Sequence, residues 1–388
     1  MALLLSLSFS LAYAGIVTEV GEPVTLTMGG GWARAFPADE GGWHFLWSAG
    51  GDYNLLPMGA DLSVRDSDRT RLTGRTDLVD HGIARCPDGS YLHAASANLE
   101  SFNDSAFAFR YAADWERTAS GALAERNPER EHNDLLVLCS PLLDATLFVE
   151  GGPTNPVLVE IGEDGTPVGE TRLDTRTHLM GGSMVWDPDT DTLVTVGFDN
   201  RQSIVVERWD ADFVKLETIE IPVVEAPQRV YWTQATLRAG EHWIVAHMAR
   251  DESAGWAADE GNVWLQVFDL EWNLLESHAV TNFSPPEGAM RPGLARQDDR
   301  LLVLFDKGVR PHIVSVTLDA AALGEDPAGD SRSDGRDAGA EACGCAATGK
   351  APVWPAVLLA AAVFARARRP SKPSWSHPNP LPNARPTR

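Results

Sequence analysis

His81, His132 and His178 recur at nearly regular intervals, each at the head of an apolar run. Imidazoles brought from equivalent places could converge on a metal ion or work as acid and base, because histidine changes charge near neutral pH. Arg229, Trp232 and Arg291 stand at the corresponding ends of later runs. Together these six are candidate ligand-facing residues, and solvated loop side chains are the competing reading. No two of the histidines are close enough in sequence to form a local ligand motif. Any convergence must therefore come from the fold.

Trp256 lies in the segment Gly255-Trp-Ala-Ala-Asp-Glu-Gly261, between Trp243 and Trp264. A tryptophan in a long acidic loop can stack on a sugar ring or hold a cation, or it can pack under the loop. Asp187-Pro-Asp-Thr-Asp191 alternates carboxylates at a spacing that can ligate calcium. It lacks the glycine and distal glutamate of a helix-loop-helix site, and Asp and Pro are turn formers for local hydrogen-bonding reasons. It therefore reads as a hairpin turn, as do Asp66-Ser-Asp68 and Asp210-Ala-Asp212. No cofactor is indicated, with calcium the one weak suggestion. The sequence contains no nucleophile elbow, P-loop, dinucleotide fingerprint or H-E-x-x-H. Cys86 and Cys139 lack metal-ligand spacing. They read either as a disulfide in an oxidising compartment or as two buried thiols.

The elements that would position these residues are short runs of Val, Leu, Ile, Trp and Phe between Gly29 and Asp319, broken by Asp, Gly, Pro and Asn. That is the pattern of an all-β chain. Two hairpin units alternate. The first appears at 32–47, 83–95, 135–149, 184–197, 235–247 and 294–305. The second appears at 62–72, 109–119, 158–169, 206–217 and 267–277, with a truncated copy at 313–319. Two of its copies align closely, Trp209-Asp-Ala-Asp-Phe213 with Phe268-Asp-Leu-Glu-Trp272. Two hairpins make a four-stranded sheet with both faces apolar, and only radial packing of such sheets buries both. The expectation is a single β-propeller over 15–319, of six four-stranded blades, with five or seven as the neighbouring counts. A pair of β-sandwiches would not explain the period. The segment 16–28 is expected to complete the short last blade and close the ring. The heads of the inner strands, with the six candidates above, would then face the central channel.

The chain has 388 residues and a net charge of −23. Its last 38 residues carry six cations and no acid, which leaves −29 for the rest. So negative a surface repels phosphate backbones, which argues against a nucleic-acid partner.

Both ends read as processing signals. Residues 3–11 are small and apolar and lead to Ala12-Tyr13-Ala14, an A-x-A site, so 1–14 is expected to be a signal peptide cut between Ala14 and Gly15. Residues 320–342 have the composition of an acidic disordered linker. Cys343-Gly-Cys345 follows, then an apolar stretch at 352–365 and the cluster Arg366, Arg368 and Arg369, with a Pro-rich tail at 370–388. The region 343–369 resembles the MYXO-CTERM sorting domain of myxobacteria and relatives. That family orders a Cys motif, a short hydrophobic helix and an Arg cluster, and it ends at the arginines, where this chain continues. The resemblance implies export, cleavage by a sorting protease with Cys343 or Cys345 modified, and display at the cell surface or outer membrane. A plain C-terminal membrane anchor is the alternative.

The sequence thus points to an exported, surface-displayed binding or scaffolding propeller with a carbohydrate or protein ligand, and an enzyme is the less favoured class. The alternatives are an extracellular hydrolase or lyase with His, Asp or Glu acid–base groups on one face, and a structural coat protein.

Overall fold

The computed structural model describes residues 15–325, apart from 39–40, 99–104, 125–132, 142, 150–155, 176, 200–201, 226 and 257–259. The 1–14 leader, His132, and the Cys motif, apolar stretch and arginines of the C-terminal region lie outside the described residues. Among those described, helical turns are confined to Asp66–Asp68 and Glu252–Ala254. No helix among them is long and apolar enough to cross a membrane.

The chain is a six-bladed β-propeller. Two short N-terminal strands, β1 (Val17–Val20) and β2 (Val24–Thr25), come first. Blade one is β3 (Gly31–Pro37), β4 (Trp43–Ala49), β5 (Asp52–Met58) and β6 (Thr70–Arg71). Blade two is β7 (Leu78–Arg85), β8 (Tyr91–Ala97), β9 (Ser105–Tyr111) and β10 (Arg117–Ala124). Blade three is β11 (Asn133–Cys139), β12 (Asp144–Val149), β13 (Pro156–Ile161) and β14 (Pro167–Arg172). Blade four is β15 (His178–Asp187), β16 (Thr192–Asp199), β17 (Ser203–Trp209) and β18 (Lys215–Pro222). Blade five is β19 (Gln228–Ala239), β20 (His242–Asp251), β21 (Asn262–Phe268) and β22 (Leu274–Ala279). Blade six is β23 (Met290–Gln297), β24 (Arg300–Lys307) and β25 (Arg310–Leu318). Each blade is an antiparallel meander, and β1 and β2 pair with β25 to supply the missing outer strand. The expected closure by residues 16–28 is what the chain does.

Strand alternation explains why the sheets stack. Along β4, Phe45 and Trp47 enter the core shared with blade six, whereas Leu46 enters the core shared with blade two. Along β20, Ile244 and Ala246 face blade six, and Trp243 and Val245 face blade four. Successive side chains point to opposite faces of a strand, so a blade with both faces apolar must be covered twice. Each pair of neighbouring blades shares one such core.

Two boundaries move from their expected places. The outer hairpin of blade one was expected at 62–72, but its third strand is β5, and Leu62 lies in the following loop with Asp66–Asp68 as a 3-10 turn. Only two residues of β6 then pair back. The propeller also runs past residue 319. Leu323 is fully buried, its carbonyl accepts from the Glu241 N–H, and Glu325 pairs with Arg296. The first six residues of the expected linker therefore belong to the packed body.

Candidate functional site

All six inner strands slip register once, near the end where they enter the channel: between Gly31 and Arg34, Leu78 and His81, Asn133 and Leu136, His178 and Ser183, Tyr231 and Ala235, and Met290 and Gly293. A bulge re-aims side chains that regular pairing would hold in the inter-blade core. At four of these slips a residue has left-handed backbone: Trp32 (φ 52°), Gly181 (69°), Trp232 (50°) and Arg291 (53°). For glycine this is free. For Trp and Arg it costs about 1–2 kcal/mol each, so packing must hold them there.

The packing is mutual. The Arg291 guanidinium lies 3.7 Å from the centroid of the Trp32 ring and 5.6 Å from that of Trp232. Trp232 in turn covers Gly181, where a Cβ would stand 2.4 Å from the indole. Asp306, at the end of β24, accepts the Trp32 N–H at 2.9 Å and sits 3.7 Å from Arg291 Nη1. The Tyr53 hydroxyl donates to the Trp32 carbonyl at 2.8 Å. Three strained residues from blades one, five and six thus meet at one mouth of the channel. Burial pushes the Asp306 carboxyl up to about 6, against the pull of Arg291, the Trp32 N–H and Arg34. Its Oδ1 is buried with no hydrogen-bond partner among the described residues, as is Arg291 Nε.

Inside the mouth lies a cavity of about 210 Å³ lined by all six inner strands. Trp32, Arg34, Ile83, Leu136, Met184 and Leu294 contribute to its wall, along with the hydroxyls of Ser183 and Thr236, which hydrogen-bond at 2.6 Å.

Of the other candidates, His81 contributes to the lining of the cavity, but its ring is buried between blades one and two, stacked on Tyr53 at 4.6 Å, with Nδ1 3.0 Å from His93 Nε2. Burial, and the neighbouring imidazole, hold it well below the usual histidine range, and burial lowers His93 to about 3. Neither is an acid or base at neutral pH. His178 is the first residue of β15. Arg229 is half-buried near the start of β19, 3.9 Å from Glu252. Trp256 is half-buried ahead of β21, and Trp243 is in the core, stacked on Trp272. Asp187 and Asp189 form the expected turn and both pair with Arg238. Asp210 and Asp212 also form the expected outer-hairpin turn.

Cys86 and Cys139 form a disulfide with Cα atoms 4.8 Å apart, joining blades two and three at their inner hairpins. Trp32, Arg34 and Asp306 were not among the sequence candidates. Trp32 and Arg34 do open the first repeat, at the position Arg291 takes in the last, and superposing those copies points to them. Asp306 lies on a second strand and carries no such signal.

No family model matches the chain, and the search of curated proteins gives no match. Among solved structures it resembles a subtype N10 neuraminidase-like protein of A/little yellow-shouldered bat/Guatemala. That match has 12% identity and a TM-score of 0.50, over 78% of this chain and 99% of that one. A DUF4623 family protein from Bacteroides eggerthii matches at 13% identity and a TM-score of 0.47, over 78% and 77%. At such identity the likeness to the first is one of fold.

Proposed function

We propose that this chain is an exported, surface-displayed binding propeller that admits its ligand through the channel mouth framed by Trp32, Trp232 and Arg291. One observation carries the reading: three side chains from three blades meet at the channel, each held in left-handed backbone that only mutual packing sustains. Left-handed non-glycine residues also close the outer-hairpin turns, but those at the mouth come from three different blades and adjoin a cavity lined by all six inner strands. Export is supported by the A-x-A site at Ala12–Ala14 and by the Cys86–Cys139 disulfide, which suits an oxidising compartment. The hydrolase or lyase reading has less support. Among the described mouth residues, Asp306 alone titrates near neutrality, and His81 is buried and neutral.

The test is a thermal-shift panel of saccharides, small organic acids and peptides, run on protein recovered from the cell surface. At least one class should raise Tm, and Trp232→Ala or Arg291→Met should abolish the rise while the far-UV spectrum is unchanged. A recovered chain beginning at Gly15 supports export. A flat panel, or a rise indifferent to both substitutions, removes the binding reading and favours a coat role.

A further inference from the structure

We propose that the channel receives a small organic carboxylate, its anionic head held by Arg34 and its apolar body by the inner-strand side chains. This rests on the channel being the binding site and adds the chemical class of the ligand. The wall of the cavity carries one formal charge, the guanidinium of Arg34. Arg34 Nη1 donates to the adjacent Ala33 carbonyl at 2.8 Å, and Arg34 enters no ion pair among the described residues. Arg238 and Arg296, on other inner strands, are each paired with carboxylates. Gly293 keeps the space beside Arg34 open: a Cβ there would stand 3.2 Å from Nη1. At the mouth, Arg34 and Arg291 together outnumber Asp306, and both pull its carboxyl down.

A cationic channel in a chain of net charge −23 is a local inversion of sign. Acidic groups on the outer surface are screened beyond about 8 Å at physiological ionic strength, so the guanidinium decides the potential that a ligand inside would feel. Its planar fork matches the two oxygens of a carboxylate. One negative charge suits one cation, because a second would be buried without a partner against Ile83, Leu136, Met184 and Leu294. The size is equally restrictive. About 210 Å³ exceeds the roughly 150 Å³ that accepts benzene and falls below the roughly 300 Å³ at which drug-sized pockets begin. That space accommodates a single ring or a short branched chain bearing one carboxylate.

The experiment is calorimetric titration of the full chain with benzoate and hexanoate, each against its primary amide, and with chloride and inorganic phosphate. The carboxylates should bind about tenfold tighter than the amides. Arg34→Met should remove that difference, and Arg34→Lys should keep part of it. Carboxylate and amide binding equally in the wild-type chain overturns the proposal without recourse to any variant. Chloride or phosphate binding as tightly as the carboxylates also overturns it, since the apolar wall would then contribute nothing. In both cases channel binding survives if Trp232→Ala weakens the amides. Silence from every probe overturns the anion site, and the broader panel then decides the binding reading separately.

Discussion

His81, His93 and His247 are histidines that the fold keeps neutral. His247 is fully buried on β20, with neither ring nitrogen bonded among the described residues, and burial lowers it to about 3. A folded-state pKa below the unfolded value of about 6.5 means that the unfolded chain takes up protons which the folded chain refuses. Stability is therefore lost as pH falls below about 6.5. Asp306 acts in the opposite sense: raised to about 6, it takes a proton in the folded state before it would when unfolded. Three groups that lose stability on acidification against one that gains it leave a net loss of stability as pH falls from 7 to 5. Urea unfolding should show stability falling from pH 7 to pH 5, and His93→Phe should make the fall shallower by about 1 kcal/mol per pH unit near pH 5. An unchanged slope in that variant would mean that His93 is charged in the folded chain.

One turn recurs in the outer hairpins of five blades. In each, two backbone bonds close the loop, as where Asp269 N–H donates to the Asn273 carbonyl and Trp272 N–H to the Asp269 carbonyl. The fourth residue is left-handed: Leu62, Trp115, Gly165, Phe213 and Trp272. Glycine suits such a position, yet aromatic residues hold three of the five. Trp115 stacks on Tyr91 at 3.8 Å, and Trp272 stacks on Trp243 at 5.0 Å with 10° between planes. Burying a tryptophan is worth about 4–6 kcal/mol by area, which outweighs the 1–2 kcal/mol of left-handed backbone. Trp272→Ala should accordingly cost about 3–5 kcal/mol in denaturant unfolding. Val214→Ala, in the neighbouring blade's turn at 58% exposure, should stay within about 0.5 kcal/mol. Equal losses would mean that the indole is not what holds the turn.

At the scale of the ring, stability depends on its weakest seam. The core between blades one and two holds Tyr53, Tyr91, Phe109, Tyr111 and Trp115, whereas that between blades two and three is built around Ala94, Ala106 and Ala108. The disulfide lies across the second, whose described core has no aromatic side chain. It closes a loop of 53 residues in sequence separation, which by chain entropy is worth about 4 kcal/mol. Cys139→Ser should lower stability by about 2–4 kcal/mol, read as a fall in Tm under non-reducing conditions. Dithiothreitol should bring the wild-type chain to the same Tm. A variant as stable as the wild type would show that the alanine seam holds unaided.

The sequence alone determined the class of fold, the two-hairpin repeat and closure by the N-terminal segment, and it centred the blade number on six, with five and seven beside it, which the ring then fixed at six. These depend on local spacing: which residues alternate, which turn, and how far apart the copies stand. The aligned copies ending in Phe213 and Trp272 already marked the recurrent turn. The sequence also named Trp232 and Arg291 among its candidates for the channel end of the inner strands, because strand order fixes which end of an inner strand faces it. Tertiary structure alone decided the rest. His81 borders the channel cavity, yet its imidazole is buried against Tyr53 of the neighbouring blade. Trp32 joined the site because the ring brings the first blade against the last. Asp306 was given its environment by burial beneath them. Neither backbone handedness nor burial is written in residue spacing, since both are set by contacts between strands, some of them distant in sequence, as between Trp32 and Asp306.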